Sequence, residues 1–470
     1  MAGKKKHTIE KIGGTSMTHF VDVMNNVIIG SRKQDEFYNR VFVVSAYGGI
    51  TNMLLEDKKT GEPGVYGKFA EDDESWMDAL ESVRSEMHRI NQVFESAGLD
   101  VADANDFVNE RIDGIRDCLQ DLMRLRSYGH FSPKDYLPTS REFLSAVGEA
   151  HSAYNSTQIL KSNGVNAVFM DLTGWKQTQP CSLDERILSA FKGLNLEECL
   201  PIATGYAKYE EGIMTRFDRG YSEITFSKMA VLTSAVEGVI HKEFHLSTGD
   251  PRLMGIENVR IIGNTNFDIA DQLSDMGMEA IHPKASKDME LNDISIRIKN
   301  AFDPEHPGTL ISKSYISEKP TVDMICGRKD IIALEVFDPE MVGECGYDLK
   351  LLGALAEWEI SYIAKNTNAN TISHFVSDKS NIVDCIKSLA EVLPTAKVTA
   401  EKVAIVTVLG SNMKIPGFLS RAANALAKAD INVLGLDQCM RQVNIQFIIA
   451  QSDFDQAQLA LHKEFVETHK

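Results

Sequence analysis

Two short stretches collect residue types that handle phosphate and carboxylate groups: "KIGGTSM", Lys11 to Met17, and "TRFDRGYSEITFSKMA", Thr215 to Ala230. Gly13 and Gly14 carry no Cβ, so their N–H groups can approach a phosphoryl oxygen while Lys11 supplies a point charge. In the second stretch Arg219, Gly220, Ser222 and Glu223 share a compact turn ahead of a helical run. Arg219 suits a bidentate grip on a carboxylate, and Glu223 can fix a nearby lysine. Each motif alone also has a plain structural reading. A glycine pair after a strand makes a tight turn, and Ser222 or Glu223 can cap or complement a helix start. No GxxxxGK[ST] loop occurs, so this is not a Walker A site.

The elements that must position these residues alternate along the chain. "HTIEKIGG" reads as a strand running into a glycine turn, and Phe20, Met24, Val27 and Ile28 then follow at helical spacing. "VFVVSAYGGITNMLL" continues with a buried strand, a turn and a helix start. Asp72 to about Arg126 is long, charged and helical: helices over one sheet face, or an insertion. "VNAVFMDLTG", "LPIATGY", "GVIHKEF" and "NVRIIG" read as further short strands between helices, so the first 300 residues are an α/β sheet domain. Beyond "DPEHPGTLIS" the pattern becomes strand-rich and repeats itself. "GYDLKLLGALAEWEIS" and "GFLSRAANALAKADIN" align without gaps, Gly346 on Gly417 and Ile360 on Ile431, each between two apolar strands.

Bulk properties narrow the partners. The 470 residues suit two to four domains, and a formal charge of −18 gives no general attraction for nucleic acid or for a membrane surface. No run approaches the ~20 apolar residues of a spanning helix. Seven scattered cysteines without a CxxC pair fit free thiols in a reducing compartment, and the expected location is cytoplasmic. "HKEFH" sets His241 and His245 four apart around Glu243, but this is not HExxH and its surroundings read as a strand. No resident metal site is expected.

"KIGGTSM", "VFVVSAYGGITNMLL", "VGEAHSA", "RFDRGYSEITF", "STGDPRLM", "GMEAIHP" and "PGTLI" occur in the order seen in aspartate kinases, and the chain resembles that family from end to end. The resemblance implies a three-layer α/β domain of the amino-acid kinase type over 1–300. A linker and first ferredoxin-like (ACT) α+β unit would follow over 301–395, and a second ACT unit over 396–470. It implies transfer of the γ-phosphoryl of MgATP to the β-carboxylate of L-aspartate, Mg²⁺ arriving with ATP on phosphate and water. A homodimer or larger homo-oligomer and an amino-acid effector at the ACT units go with it. Variants of the KIGGTSM and RGYSE type also resemble the aspartokinases found with ectoine biosynthesis genes. Two other functions stay open at this level: a related kinase acting on glutamate, and an amino-acid sensor with a weakened kinase domain.

Carried over position by position, Lys11 would neutralise the transferring phosphoryl, and the Gly13 and Gly14 amides would cradle it. Thr15, Ser16 and Ser45 would donate hydroxyls near the acceptor. Glu149 would hold the substrate ammonium, Arg219 would clamp the α-carboxylate with Ser222 beside it, Glu223 would orient Lys11, and Arg252 would reach the ATP phosphates. The acceptor carboxylate ordinarily titrates at about pH 3.9, so it is ionised at neutral pH and needs no general base. The site's task is to hold two anions together. The chain departs from the family pattern in three places: Tyr221 and Glu223 where RGGSD has Gly and Asp, "IHKEFHLSTGDPR" in the nucleotide segment, and Glu279 where a Lys is usual. In the first repeat "TNAN", Thr367 to Asn370, replaces TSE, which leaves lysine feedback open.

Overall fold

Arg40–Val44 (RVFVV) is buried at all five positions, as a strand covered on both faces must be. In the computed structural model, which describes residues 6–30, 32–217, 220–278, 280–378 and 381–467, it is one of a series of strands. These are β1 (Thr8–Ile12), β2 (Arg40–Val44), β3 (Ala167–Met170), β4 (Leu200–Thr204), β5 (Glu237–Lys242), β6 (Asn264–Thr265), β7 (Ser295–Asn300) and β8 (Thr309–Ile311). The chain divides into two units, Met1–His245 with Ile281–Lys313, and Leu246–Ala280 with Ser314–Lys470. Residues 246–280 are grouped with the C-terminal part in this division.

In the first unit the strand order is β3-β4-β2-β1-β5-β7-β8, parallel throughout except for β8. Phe20, Met24, Val27 and Ile28 are all buried, on a helix (Phe20–Val23) that widens into a π-helical turn (Met24–Ile28). The charged stretch after Asp72 folds as two long helices, Trp76–Val93 and Val101–Ser127. Asp100 caps the second by accepting from the N–H groups of Ala102 and Asp103. The helix Pro133–Ser162 starts at a Ser132–Asp135 capping box with proline at its first position, where a missing N–H costs nothing.

The second unit continues with β9 (Met324–Phe337), β10 (Tyr362–Thr367), β11 (Thr371–Ser377), β12 (Lys397–Leu409), β13 (Val433–Asp437) and β14 (Asn444–Ala450). They form one antiparallel sheet in the order β10-β11-β9-β12-β14-β13. The repeat is visible in its turns: Gly346 and Gly417 open the helices Tyr347–Glu357 and Phe418–Lys428 at φ 81° and 102°, a conformation strained for any side chain. The two α+β units interlock rather than follow one another. Leu334 and Val336 of β9 share a core with Leu351, Leu355 and Leu389, whereas Ile325 of the same strand packs with Ala404, Val406, Phe418 and Leu426. A cut between residues 395 and 396 therefore does not separate the two cores. "NVRIIG" is a correction. It forms a single bridge, Ser247 with Ile261, and the strand there is only Asn264–Thr265. Ile262 serves packing instead, joining Ile269 and Leu273 against Met324 and Ile405, while Ile261 is exposed.

Candidate active site

Parallel strands bring their C-terminal ends to one edge, the edge at which open α/β sheets bind ligands. Lys11 is the penultimate residue of β1, opposite Val43 of β2 and Ile240 of β5. Its Nζ lies 3.2 Å from Glu223 Oε1, with both side chains only 12% exposed. Glu223 sits in the first turn of the helix Tyr221–Thr233, entered through Gly220 at φ 113°. Its other oxygen accepts the backbone N–H of His282. Burial alone would raise the Glu223 pKa, but Lys11, Lys242 and the His282 N–H outweigh it and hold the group below its ordinary value. Glu223 is therefore an anion tethered at one end and aimed at Lys11 from the other.

The second centre is Glu149, on the buried face of the helix Pro133–Ser162 and 2% exposed. Burial pushes its pKa up to about 8, against the opposing pull of Ser222, Lys11 and the backbone N–H groups of Tyr206 and Ala46. Ser222 Oγ donates to Oε1 at 2.6 Å, and Ser45 Oγ donates to Ser222 Oγ at 3.2 Å. The remaining oxygen, Oε2, has no hydrogen-bond partner among the described residues. Ser152 Oγ donates to the Ser45 carbonyl at 2.8 Å, fixing the turn after β2.

Glycines make this convergence possible. A Cβ on Gly205 would lie 2.7 Å from Ser222 Cβ and 2.9 Å from Glu149 Oε2; one on Gly148 would meet Ala46 Cβ at 2.9 Å; one on Gly14 would meet the Ala46 carbonyl at 2.8 Å. The turn after β1 thus approaches the turn after β2, and the turns after β2 and β4 approach the helix Pro133–Ser162, more closely than side chains would permit.

Lys11, Gly14, Ser45, Glu149, Ser222 and Glu223 all lie in the first unit, linked by these contacts. Gly13 needs a correction. Its N–H donates to the His241 carbonyl at 3.4 Å because the β1–β5 ladder runs one residue further, so it does not face a phosphoryl group. Gly14 opens the helix Gly14–Thr18, whose first-turn N–H groups lack intrahelical acceptors. Thr15 is exposed there, and Ser16 is buried with Oγ donating to Glu243 Oε1 at 2.9 Å. Arg219 lies outside the described residues. Arg252 belongs to the second unit, its side chain 92% exposed and 3.3 Å from Asp250, which caps the short helix Pro251–Met254. His241 Nε2 is 2.7 Å from the buried Glu10, and His245 Nε2 is 3.0 Å from Asp303.

Sequence reasoning missed Gly148, Ser152, Gly205, Tyr206 and the His282 N–H. The signals that pointed their way were the motif "VGEAHSA", which holds Gly148 and Ser152 beside Glu149, the "ATGY" just after β4, and the HP helix start at His282, which caps the helix Pro283–Leu291.

A parallel α/β domain with a lysine and buried carboxylates at its strand ends is the framework of a small-molecule phosphotransferase, and residues 6–300 match the amino acid kinase family while residues 406–465 match an ACT domain. The chain belongs to the aspartate kinases: it is 47% identical, over 98% of both chains, to aspartate kinase Ask_Ect of Stutzerimonas stutzeri. It is also 23% identical to aspartokinase 2, chloroplastic, of Arabidopsis thaliana, over 99% of this chain and 85% of that one. In fold it resembles E. coli aspartokinase III, solved with lysine and aspartate (TM-score 0.72, 20% identity) and with aspartate and ADP (0.71, 19%). Each match covers 98% of this chain and 99% of the other.

Proposed function

We propose that this chain transfers the γ-phosphoryl of ATP to the β-carboxylate of L-aspartate, releasing ADP and 4-phospho-L-aspartate. The observation that carries this reading is the unpartnered, buried Glu149 Oε2 beside Ser222 and Ser45, at the sheet edge that also holds the Lys11–Glu223 pair. An ammonium group would complete Glu149 and favour its charged form, leaving the substrate's carboxylates to turn toward the cations. Lys11, aimed by Glu223, offsets charge on the phosphoryl group as the two anions approach; Gly14 lets the backbone come close. Arg219 clamps the α-carboxylate in this reading, Ser45 and Thr15 donate to the acceptor, and Arg252 serves the nucleotide. Mg²⁺ enters as part of the substrate MgATP, on phosphate oxygens and water.

The 47% relative named Ask_Ect supports a place at the start of aspartate-derived biosynthesis, ectoine included. The lysine and aspartate complex of E. coli aspartokinase III supports an amino-acid effector for this chain, which we place at its ACT region, in a homo-oligomer. Among the described residues no helix is long and apolar enough to cross a membrane, and the cysteines are free thiols, in keeping with a cytoplasmic enzyme. Incubation with MgATP, L-aspartate and hydroxylamine tests the reading by trapping aspartyl hydroxamate. ADP release with glutamate but not with aspartate, or no release with either acid, would refute it.

A further inference from the structure

The helix that carries Glu149 bears a second carboxylate two turns earlier. Glu142 stands seven positions before Glu149 and so on the same helix face. Tyr206 Oη donates to Glu142 Oε2 at 2.8 Å. Glu142 Oε1 accepts the Thr215 backbone N–H at 2.9 Å and the Thr215 hydroxyl at 3.3 Å. Gly212, at φ +79°, lies so close that a Cβ would sit 2.6 Å from Glu142 Oε1. One carboxylate therefore ties both ends of the segment 206–215, which leads from β4 toward the RGYSE turn.

Tyr206 joins this tie to the substrate side. It is 3% exposed, and its N–H is one of the groups favouring the ionised form of Glu149. Its carbonyl accepts from Thr204 Oγ1 at 2.7 Å, so the backbone cannot rotate freely. Its ring meets that of Tyr221 edge-on, centroids 5.7 Å apart at 79°, and Tyr221 immediately precedes Ser222, the donor to Glu149. The large ring at position 221 is thus accommodated by a tyrosine whose hydroxyl Glu142 holds.

We infer that Glu142 is a positioning residue of the acceptor pocket: through Tyr206 and Thr215 it keeps the 206–215 segment and the Tyr221–Ser222 helix start in register with Glu149. It touches no reacting atom. Its loss loosens the side of the site that grips the amino acid and leaves Lys11 and its tether to Glu223 in place. The consequence falls on acceptor affinity, which makes the inference rest on the aspartate kinase reading for its kinetic test.

Glu142→Ala, Glu142→Gln and Tyr206→Phe in the full chain decide it. Glu142→Ala is expected to raise the KM for aspartate about tenfold, the scale of a lost hydrogen bond to a charged group, with the KM for ATP unchanged and kcat within about twofold. Glu142→Gln keeps one acceptor oxygen for two sets of donors and should fall between. Tyr206→Phe removes only the hydroxyl that Glu142 accepts from and should raise the same KM, which also covers the case in which Glu142→Ala does not fold. Amide exchange over residues 205–217 should accelerate in each variant, and this readout needs no turnover. An unchanged KM for aspartate in folded Glu142→Ala, or equal rises in both KM values, would overturn the inference. If the wild type yields no aspartyl hydroxamate, the function reading fails, while unaltered exchange over 205–217 would separately refute the positioning role.

Discussion

Lys11 and Glu223 stand 212 positions apart in the chain, yet Nζ and Oε1 meet at 3.2 Å at the C-terminal edge of the parallel sheet. The pair is nearly dry, and the His282 N–H holds the far side of the carboxylate, so the lysine has one favoured direction. A cation fixed before substrate arrives costs no reorganisation during the reaction.

Lys11→Ala should therefore lower aspartyl hydroxamate formation by at least about 10²-fold, the range seen when a preorganised charge partner is removed. Glu223→Gln keeps an acceptor for the His282 N–H but loses the charge that aims Lys11, and should lower kcat more than it raises either KM. Steady-state kinetics with both substrates check this. Wild-type kcat in either variant would contradict the role given to the pair.

Glu149 predicts a pH dependence of stability with a definite sign. Its native pKa, pushed up to about 8 by burial, exceeds the unfolded value of 4.5, so between these pH values the folded chain holds a proton that the unfolded chain has released. Stability should fall as pH rises through that window and level off above it. Glu149→Gln should remove that decline while weakening aspartate binding at least tenfold, about 1.4 kcal/mol. Aspartate binding at neutral pH should release a proton from Glu149. Calorimetry in two buffers of different ionisation enthalpy measures it.

Gly205→Ala places a methyl 2.7 Å from Ser222 Cβ and 2.9 Å from Glu149 Oε2. Gly205 has ordinary backbone geometry, so the cost is the clash itself, roughly 1–3 kcal/mol for overpacking. The expected result is a lowered melting temperature together with a raised KM for aspartate. A variant with native stability and kinetics would show that the helix and the β4 turn can move apart freely.

Beneath the site, Arg40 donates to Glu10 at 2.6 and 2.9 Å and to the carbonyls of Val27 and Ile28, and His241 contacts the same carboxylate. Burial opposes ionisation of Glu10, but Arg40 and His241 hold its pKa well below 4.5. Its contribution to stability is therefore present above about pH 4.5 and lost as pH falls through the native pKa. Glu10→Gln leaves a buried guanidinium uncompensated and should cost about 3–5 kcal/mol at neutral pH, while the paired change Glu10→Leu with Arg40→Leu should cost less. Denaturant unfolding of the three proteins compares them.

The places where sequence reading and structure part are physically alike. "NVRIIG" has strand composition, but only Ile262 packs into the core against β9 and β12 while Ile261 stays exposed, and the stretch forms a single bridge. Gly13 has the freedom to face a phosphate, but the ladder to β5 claims its N–H. The repeat located both helix-opening glycines, yet β9 contributes to two cores because a long strand can be covered by different helices at its two ends.

By itself the sequence determined the alternation of strands and helices, the glycine turn beside Lys11, the doubled C-terminal unit and, through motif order, the family. These follow from local chain geometry: period, turn chemistry and the absence of a Cβ are written residue by residue. Only the tertiary structure decided that Glu149 is sealed against Ser222 with one oxygen unpartnered, that the His282 N–H holds the far oxygen of Glu223, and that Tyr206 bridges to Glu142. Burial and through-space charge depend on which distant segments meet, and no local pattern encodes that.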